Sequence, residues 1–203
     1  HHLTYKNESK KFAEKTIRFW FSASPEKFYP RNIEKIYDFG FCGAAHNGKL
    51  TGPTMNIRDR MYETVKNLEY NFFWNHQTSP SHRITLEEYI KKINQSKIWL
   101  ATTGPTLDIS PRYFEVILSK TMLMCNDMPE EYEGLFVDGH NCVTFDNDLS
   151  NFTEKLNYYL SNEDERNDII ERAYQDVIKN HTCRHMTLRI LKVIQDIKNE
   201  RAV

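Results

Sequence analysis

Ser110-Pro111-Arg112-Tyr113-Phe114-Glu115 sits between two apolar runs, Lys97–Thr102 (KIWLAT) and Thr121–Cys125 (TMLMC), and its reading decides the fold. The flanking runs are short and rich in branched and aromatic residues, as buried strands are, and the segment between them spans Pro111–Ser119 at helical spacing. Ser110 is a capping residue type, and Pro111 suits a first helical position, where its missing N–H costs nothing. The free N–H groups and positive dipole end of such a helix face whatever lies beyond the carboxyl end of the preceding strand. Arg112 adds a planar cation that matches phosphate oxygens. Glu115, one turn in, offers a carboxylate to the hydroxyls of a ribose diol. Cap, cation and carboxylate together point to a site for a nucleoside diphosphate.

Outward from this segment the same alternation repeats. Lys35–Gly43 (KIYDFGFCG) reads as a buried strand closed by a glycine turn, and Pro53–Leu68 carries Ile57, Met61, Val65 and Leu68 on one helical stripe. Tyr70–Trp74 is a short strand followed by a polar loop. Thr85 and Glu88 form a capping box that opens a helix to about Gln95. After an acidic loop, Asn126–Gly134, Asn141–Phe145 is the last strand, and beyond Leu149 the pattern is helical, in two or three pieces. Strands spaced by helices imply an α/β fold, a Rossmann-like parallel sheet flanked by helices with a helical C-terminal tail. Ligands of such sheets lie outside the carboxyl ends of the strands, where Gly43 and Ser110 both fall.

Composition narrows the function classes. The chain has 203 residues and a net charge of −1, which argues against nucleic-acid binding through bulk electrostatics. No apolar run approaches a membrane span and no signal-peptide pattern opens the chain. His1-His2 in place of Met reads as an excised segment with a tag remnant. Cys42, Cys125, Cys142 and Cys183 are far apart and form no CxxC pair, so reduced structural thiols in a cytoplasmic setting are the expectation. The 11 Tyr and 12 Phe are read as core rather than as a sugar-stacking platform.

The order of these motifs resembles the carboxy-terminal half of GT-B glycosyltransferases of the group-1-like kind. The resemblance rests on Lys35–Gly43 followed by Arg58, on Pro111–Glu115, and on Phe136–Phe145 (FVDGHNCVTF). The tail adds Leu149–Leu160, Asp164–Arg172 and His181–Arg184, and the likeness covers roughly Lys35 to Ile197. It implies a Rossmann-like nucleotide-sugar-binding domain over residues 35–203 with closing helices. Residues 1–34 would be a linker or the end of a missing N-terminal domain.

The resemblance also implies roles. Glu115 would hold the donor ribose, Gly43 would let the backbone approach the donor phosphates, and Arg112 would reach the pyrophosphate. Thr102–Gly104, with Thr103 and Gly104 foremost, would border the base, while Ser110, Arg58 and Lys49 are further donor-side candidates. Many retaining members carry a second Glu eight positions before the ribose-binding one. Here that position is Leu107, and the adjacent Asp108 would stand in, which leaves the stereochemical outcome open. The implied reaction transfers a sugar from a nucleoside-diphosphate donor to a glycan or other hydroxyl acceptor, with no further cofactor and no metal. No catalytic residue is assigned, because the general base of an inverting member comes from the other half. On this reading the fragment binds donor and turns over little alone.

Other readings stand beside these. Glu115 can be a solvated helix carboxylate, and Arg112 can pair with Asp108, worth less than about 1 kcal/mol at a surface. Lys49 and Arg58 can simply be solvated. Asp146-Asn147-Asp148 matches the D-x-D with which GT-A enzymes hold a divalent cation, whereas the plainer reading makes Asp148 the cap of the next helix. His181, Cys183 and His185 have a zinc-like spacing but no evident fourth ligand. A non-catalytic module that kept the fold and lost the chemistry is the alternative function.

Overall fold

The computed structural model describes residues 19–44, 56–77, 79–104 and 107–200. Lys49, the loop it occupies and the start of the expected helix at Pro53 lie outside them. Five strands are described: β1 (Tyr37–Ala44), β2 (Phe72–Gln77), β3 (Ser96–Ala101), β4 (Met122–Asn126) and β5 (Val143–Phe145). The described helices are α1 (Ile57–Val65), α2 (Leu86–Asn94), α3 (Arg112–Leu118), α4 (Phe152–Ser161), α5 (Glu163–Asn180) and α6 (Cys183–Glu200).

All pairings are parallel and the strand order is β2-β1-β3-β4-β5. Parallel neighbours need crossovers, and the helices between strands supply them, so both faces of the sheet are covered. Alternating side chains divide the core in two. Phe39, Phe41, Ile98, Leu100, Met122, Met124, Val143 and Phe145 meet Ile57, Met61 and Val65 of α1 and Phe152 and Leu156 of α4. Trp99, Ala101, Leu123 and Cys125 point the other way, onto Ile90 and Ile93 of α2, the apolar side of α3, and Ala173 and Val177 of α5. The order reverses between β1 and β3, and such a reversal opens a crevice at the carboxyl edge.

The N-terminal part of the described chain packs onto this body. Ala23 bridges Thr182 in parallel, the Cys183 N–H donates to the Ala23 carbonyl at 3.0 Å, and the buried Phe28 meets Tyr89 edge-on at 6.3 Å.

Several expectations hold and several move. Thr85 caps α2, its Oγ1 accepting the Glu88 N–H at 3.1 Å, and the tail forms three helices. The stripe of Ile57, Met61 and Val65 is buried as expected. Gly43 is no turn residue: β1 runs through it to Ala44, and Gly43 pairs with His76. A Cβ there would stand 2.8 Å from the Phe41 ring, so the glycine serves close packing. β2 continues three residues past Trp74, because Asn75, His76 and Gln77 stay paired with β1 although they are polar. Asp148 does not cap α4. Its Oδ1 accepts the Ser150 N–H at 2.9 Å in a local turn, while Asn151 Oδ1 accepts the Asp146 N–H at 2.9 Å.

Candidate functional site

The crevice at the carboxyl edge of β1, β2 and β3 is a cleft of about 400 Å³. Cys42 and Gln77 enter it from the strand ends, Ile84, Thr85, Leu86 and Tyr89 from α2 and its approach, and Ser110, Pro111, Arg112 and Glu115 from the start of α3. Three of the sequence candidates, Ser110, Arg112 and Glu115, therefore meet in one place.

Local structure departs from the expected cap. The helix begins at Arg112, Pro111 takes the N-cap position, and no side chain caps it. Ser110 lies one residue too early; its carbonyl accepts the Tyr113 N–H at 3.2 Å. Its hydroxyl Oγ is buried at the cleft with no hydrogen-bond partner among the described residues, and so is Arg112 Nε. Since α3 is seven residues long, the Arg112 guanidinium carries more of the local positive charge than a helix dipole does. A buried polar atom without a partner costs about 1–3 kcal/mol, so two at one cleft wall mark a place where a polar ligand would repay the loss.

Glu115 is tied from across the cleft: the Tyr89 hydroxyl donates to its Oε2 at 2.9 Å. Burial raises the Glu115 pKa above the ordinary 4.5, against the pull of the Tyr89 hydrogen bond and of Arg112. Burial likewise pushes the Tyr89 hydroxyl up, so it remains a donor. Burial opposes the Arg112 charge as well, but Tyr89, Cys42 and Glu115 together outweigh it and leave its pKa above the usual value. Burial raises the Cys42 thiol, which keeps it neutral, and the Gln77 amide donates to its Sγ at 3.4 Å.

The remaining candidates surround the cleft without lining it. Arg58 donates from Nε to Thr102 Oγ1 at 2.8 Å and from Nη1 to the Ala44 carbonyl at 2.6 Å, so it ties the end of β1 to that of β3. Burial, reinforced by the charge of Arg112, lowers Arg58 to about 10. Thr103 is locked to Asn126, whose Oδ1 accepts the Thr103 N–H at 2.8 Å and whose Nδ2 donates to Thr103 Oγ1 at 3.1 Å. The Gly104 N–H donates to the Asp108 carbonyl at 2.9 Å, and Leu107 has φ +63°. Asp108 Oδ1 accepts from the Tyr132 hydroxyl at 3.4 Å.

Sequence reasoning missed Tyr89, Cys42, Gln77 and Asn126. Tyr89 left a faint signal, an aromatic one turn after a capped helix start. Asn126 left none, because one asparagine at a strand end resembles any other.

The residues of the metal-like motifs make local hydrogen bonds and ion pairs. Asp146 Oδ2 accepts the Ser150 hydroxyl at 2.7 Å, and the Asn147 carbonyl accepts from Arg60 Nη2 at 2.8 Å. His185 Nδ1 bonds Thr182 Oγ1 at 2.7 Å, and His181 Nε2 lies 3.8 Å from Asp176. Among the described residues no group of three or more His, Cys, Asp or Glu is placed to hold a metal ion. No described helix is long and apolar enough to cross a membrane.

No curated protein matches the chain by sequence. Among solved structures, the C-terminal domain of the group 1 family glycosyl transferase LpcC from Francisella tularensis superposes with a TM-score of 0.52 at 14% identity, covering 80% of this chain and 100% of that one. A glycosyltransferase from Rickettsia africae gives a TM-score of 0.62 at 14% identity, over 91% of this chain and 57% of its own. A mutant TarM from S. aureus, solved with fondaparinux, α-GlcNAc-glycerol and UDP, gives 0.55 at 12% identity, over 89% and 40%. The fold is thus that of a GT-B C-terminal domain, and this chain spans less than two thirds of the Rickettsia and TarM chains. A family model described as glycosyl transferase-like matches residues 42–192, and the chain belongs to that family.

Proposed function

We propose that this chain is the donor-binding half of a GT-B glycosyltransferase and that it takes a nucleoside-diphosphate sugar in the cleft between α2 and α3. The observation that carries the reading is the pairing of two unpartnered buried polar atoms, Ser110 Oγ and Arg112 Nε, with the Glu115 carboxylate in one cleft. Tyr89 occupies one lone pair of Glu115 Oε2 and holds the carboxylate in place, which leaves Oε1 for the ribose hydroxyls. Arg112 and the Ser110 hydroxyl meet the diphosphate. As the anomeric bond breaks, charge accumulates on the leaving diphosphate, and a guanidinium fixed beforehand stabilises it without reorganising. Thr102–Gly104, held by Arg58 and Asn126, borders the base. A further domain supplies the acceptor hydroxyl's surroundings, so this fragment alone binds donor and transfers little. UDP accompanies the TarM structure named above, and uracil is one of several bases to be tried.

A second reading, a binding module without chemistry, is favoured by Leu107 standing where retaining members carry a carboxylate. Turnover by the chain joined to a GT-B N-terminal domain separates the two. The first reading is tested by thermal shift with UDP-, GDP-, ADP- and dTDP-sugars, with and without Mn²⁺, on the wild type and Glu115→Ala. A ligand of the folded state raises the melting temperature by linkage. Metal-independent stabilisation by one nucleotide class, lost in Glu115→Ala, is expected. No shift with any donor, or an equal shift in the variant, contradicts the reading.

A further inference from the structure

On the other face of the sheet, β2 is an edge strand, and a second cleft of about 460 Å³ opens between it and α1. That volume falls within the roughly 300–1,000 Å³ typical of small-molecule sites. Its lining is Tyr62 from α1 and Phe72, Trp74 and His76, which alternate along β2 and therefore share one face. The adjacent Gln77 points to the donor cleft, so the two clefts lie back to back across one strand. Phe72 and Trp74 pack against the core below but, like His76, are only half-buried, and Tyr62 is 38% exposed.

The aromatic wall is built from below. Trp74 stacks on the fully buried Phe41 at 4.4 Å, and Tyr62 leans toward it at 5.4 Å with a 43° tilt. Two polar atoms at this wall are buried with no partner among the described residues: the indole Nε1 of Trp74 and the imidazole Nε2 of His76. His76 Nδ1 lies 3.2 Å from Asp59 Oδ1, a neighbour that favours the proton on Nδ1 and leaves the lone pair of the neutral ring on Nε2. Burial, with help from Arg58 and against Asp59, lowers the His76 pKa, which favours this neutral form.

A donor on Trp74 and an acceptor on His76, two residues apart on one face of β2, fit the hydroxyl groups of a polyol, each of which accepts and donates. A ring that bears such hydroxyls on its rim and C–H bonds on its face also suits the negative face of indole and phenol rings. The Asp59 carboxylate beside the cleft disfavours a phosphate. We propose that this cleft binds the ring of a neutral hexopyranose, stacked against Trp74 and Tyr62 and hydrogen-bonded by Trp74 Nε1 and His76 Nε2. It is a carbohydrate subsite separate from the donor cleft, and it does not rest on the donor reading.

Nitrogen-15 NMR of the labelled protein reads the site through the Trp74 indole N–H, identified by its loss in Trp74→Phe. Lactose, maltose, α-1,2-mannobiose and chitobiose are titrated separately, with AMP as a planar anionic probe and no nucleotide sugar present. A saturable shift with at least one disaccharide is expected, about fivefold weaker in binding for Tyr62→Ala, whose exposed side chain leaves the core intact. His76→Gln should weaken the same sugar. Three results overturn the proposal: no saturable shift with any of the four sugars, a shift with AMP in their place, or undiminished binding in Tyr62→Ala. Because no donor is present, failure of the donor reading leaves this result readable.

Discussion

The Tyr89 hydroxyl donates to Glu115 Oε2 at 2.9 Å and thereby joins α2 to α3 across the cleft between them. In Tyr89→Phe the carboxylate loses a hydrogen bond that favours its charge, in a setting where burial already opposes it. We expect urea unfolding to show a loss of about 1 kcal/mol. Carbon-13 NMR titration of the Glu115 carboxyl should show its pKa rising further; an unchanged or lower value would contradict this geometry.

Glu115 also gives stability a pH dependence of definite sign. The unfolded side chain releases its proton near 4.5, and the folded one only at a higher pH. Between those two values the folded state holds more proton, so this group's contribution to stability falls as pH rises through the window and then levels off. Glu115→Gln removes that component. Melting temperatures taken from pH 4 to 8 should decline less for the variant over the lower part of the range than for the wild type.

Two glycines of β1 are fixed by packing, and their order of sensitivity follows from distance. A Cβ on Gly40 would lie 2.5 Å from the ring of Trp99 and 2.8 Å from Ser96 Oγ; on Gly43 the nearest contact is the Phe41 ring at 2.8 Å. Trp99 is fully buried and cannot retreat without moving the core. Gly40→Ala should cost about 1–3 kcal/mol or more in denaturant unfolding, and Gly43→Ala less. The reverse order would mean that the Phe41–Trp74 stack is the stiffer of the two.

Asn126 holds the loop beyond β3. Its amide bonds the Thr103 N–H and hydroxyl and reaches Asn147 Oδ1 at 2.8 Å. Asn126→Ala leaves a buried N–H without a partner, a loss of about 1–3 kcal/mol. Hydrogen exchange at the Thr103 amide should accelerate markedly while amides of β1 follow global stability alone.

What the sequence made legible is what rests on local pattern. Apolar runs separated by helical stripes yielded five parallel strands, and Thr85 with Glu88 marked a helix start that the chain uses. Ser110 and Asp148 show where local pattern fails. Both are capping residue types near a helix start, yet the Ser110 hydroxyl is buried with no partner among the described residues and Asp148 closes a turn with Ser150. Tertiary placement decided each, and one residue of offset was enough. Glycine at position 43 reads as a turn because a ring packing from two residues away leaves no local trace. Of the candidate site, the spacing of Arg112 and Glu115 brings both to one cleft, while Tyr89 and Asn126 act through contacts 26 and 23 residues away in sequence.

The most direct test of the donor reading asks whether Glu115 recognises a ribose diol. Calorimetric titration would compare UDP with dUDP, GDP with dGDP and ADP with dADP, on the wild type and on Glu115→Ala. The account predicts that one ribonucleotide binds about tenfold or more tightly than its 2′-deoxy partner, the difference expected for a lost hydrogen bond to a charged group. It predicts also that Glu115→Ala erases the difference. Equal binding of both partners by the wild type, or discrimination that survives in the variant, would contradict it.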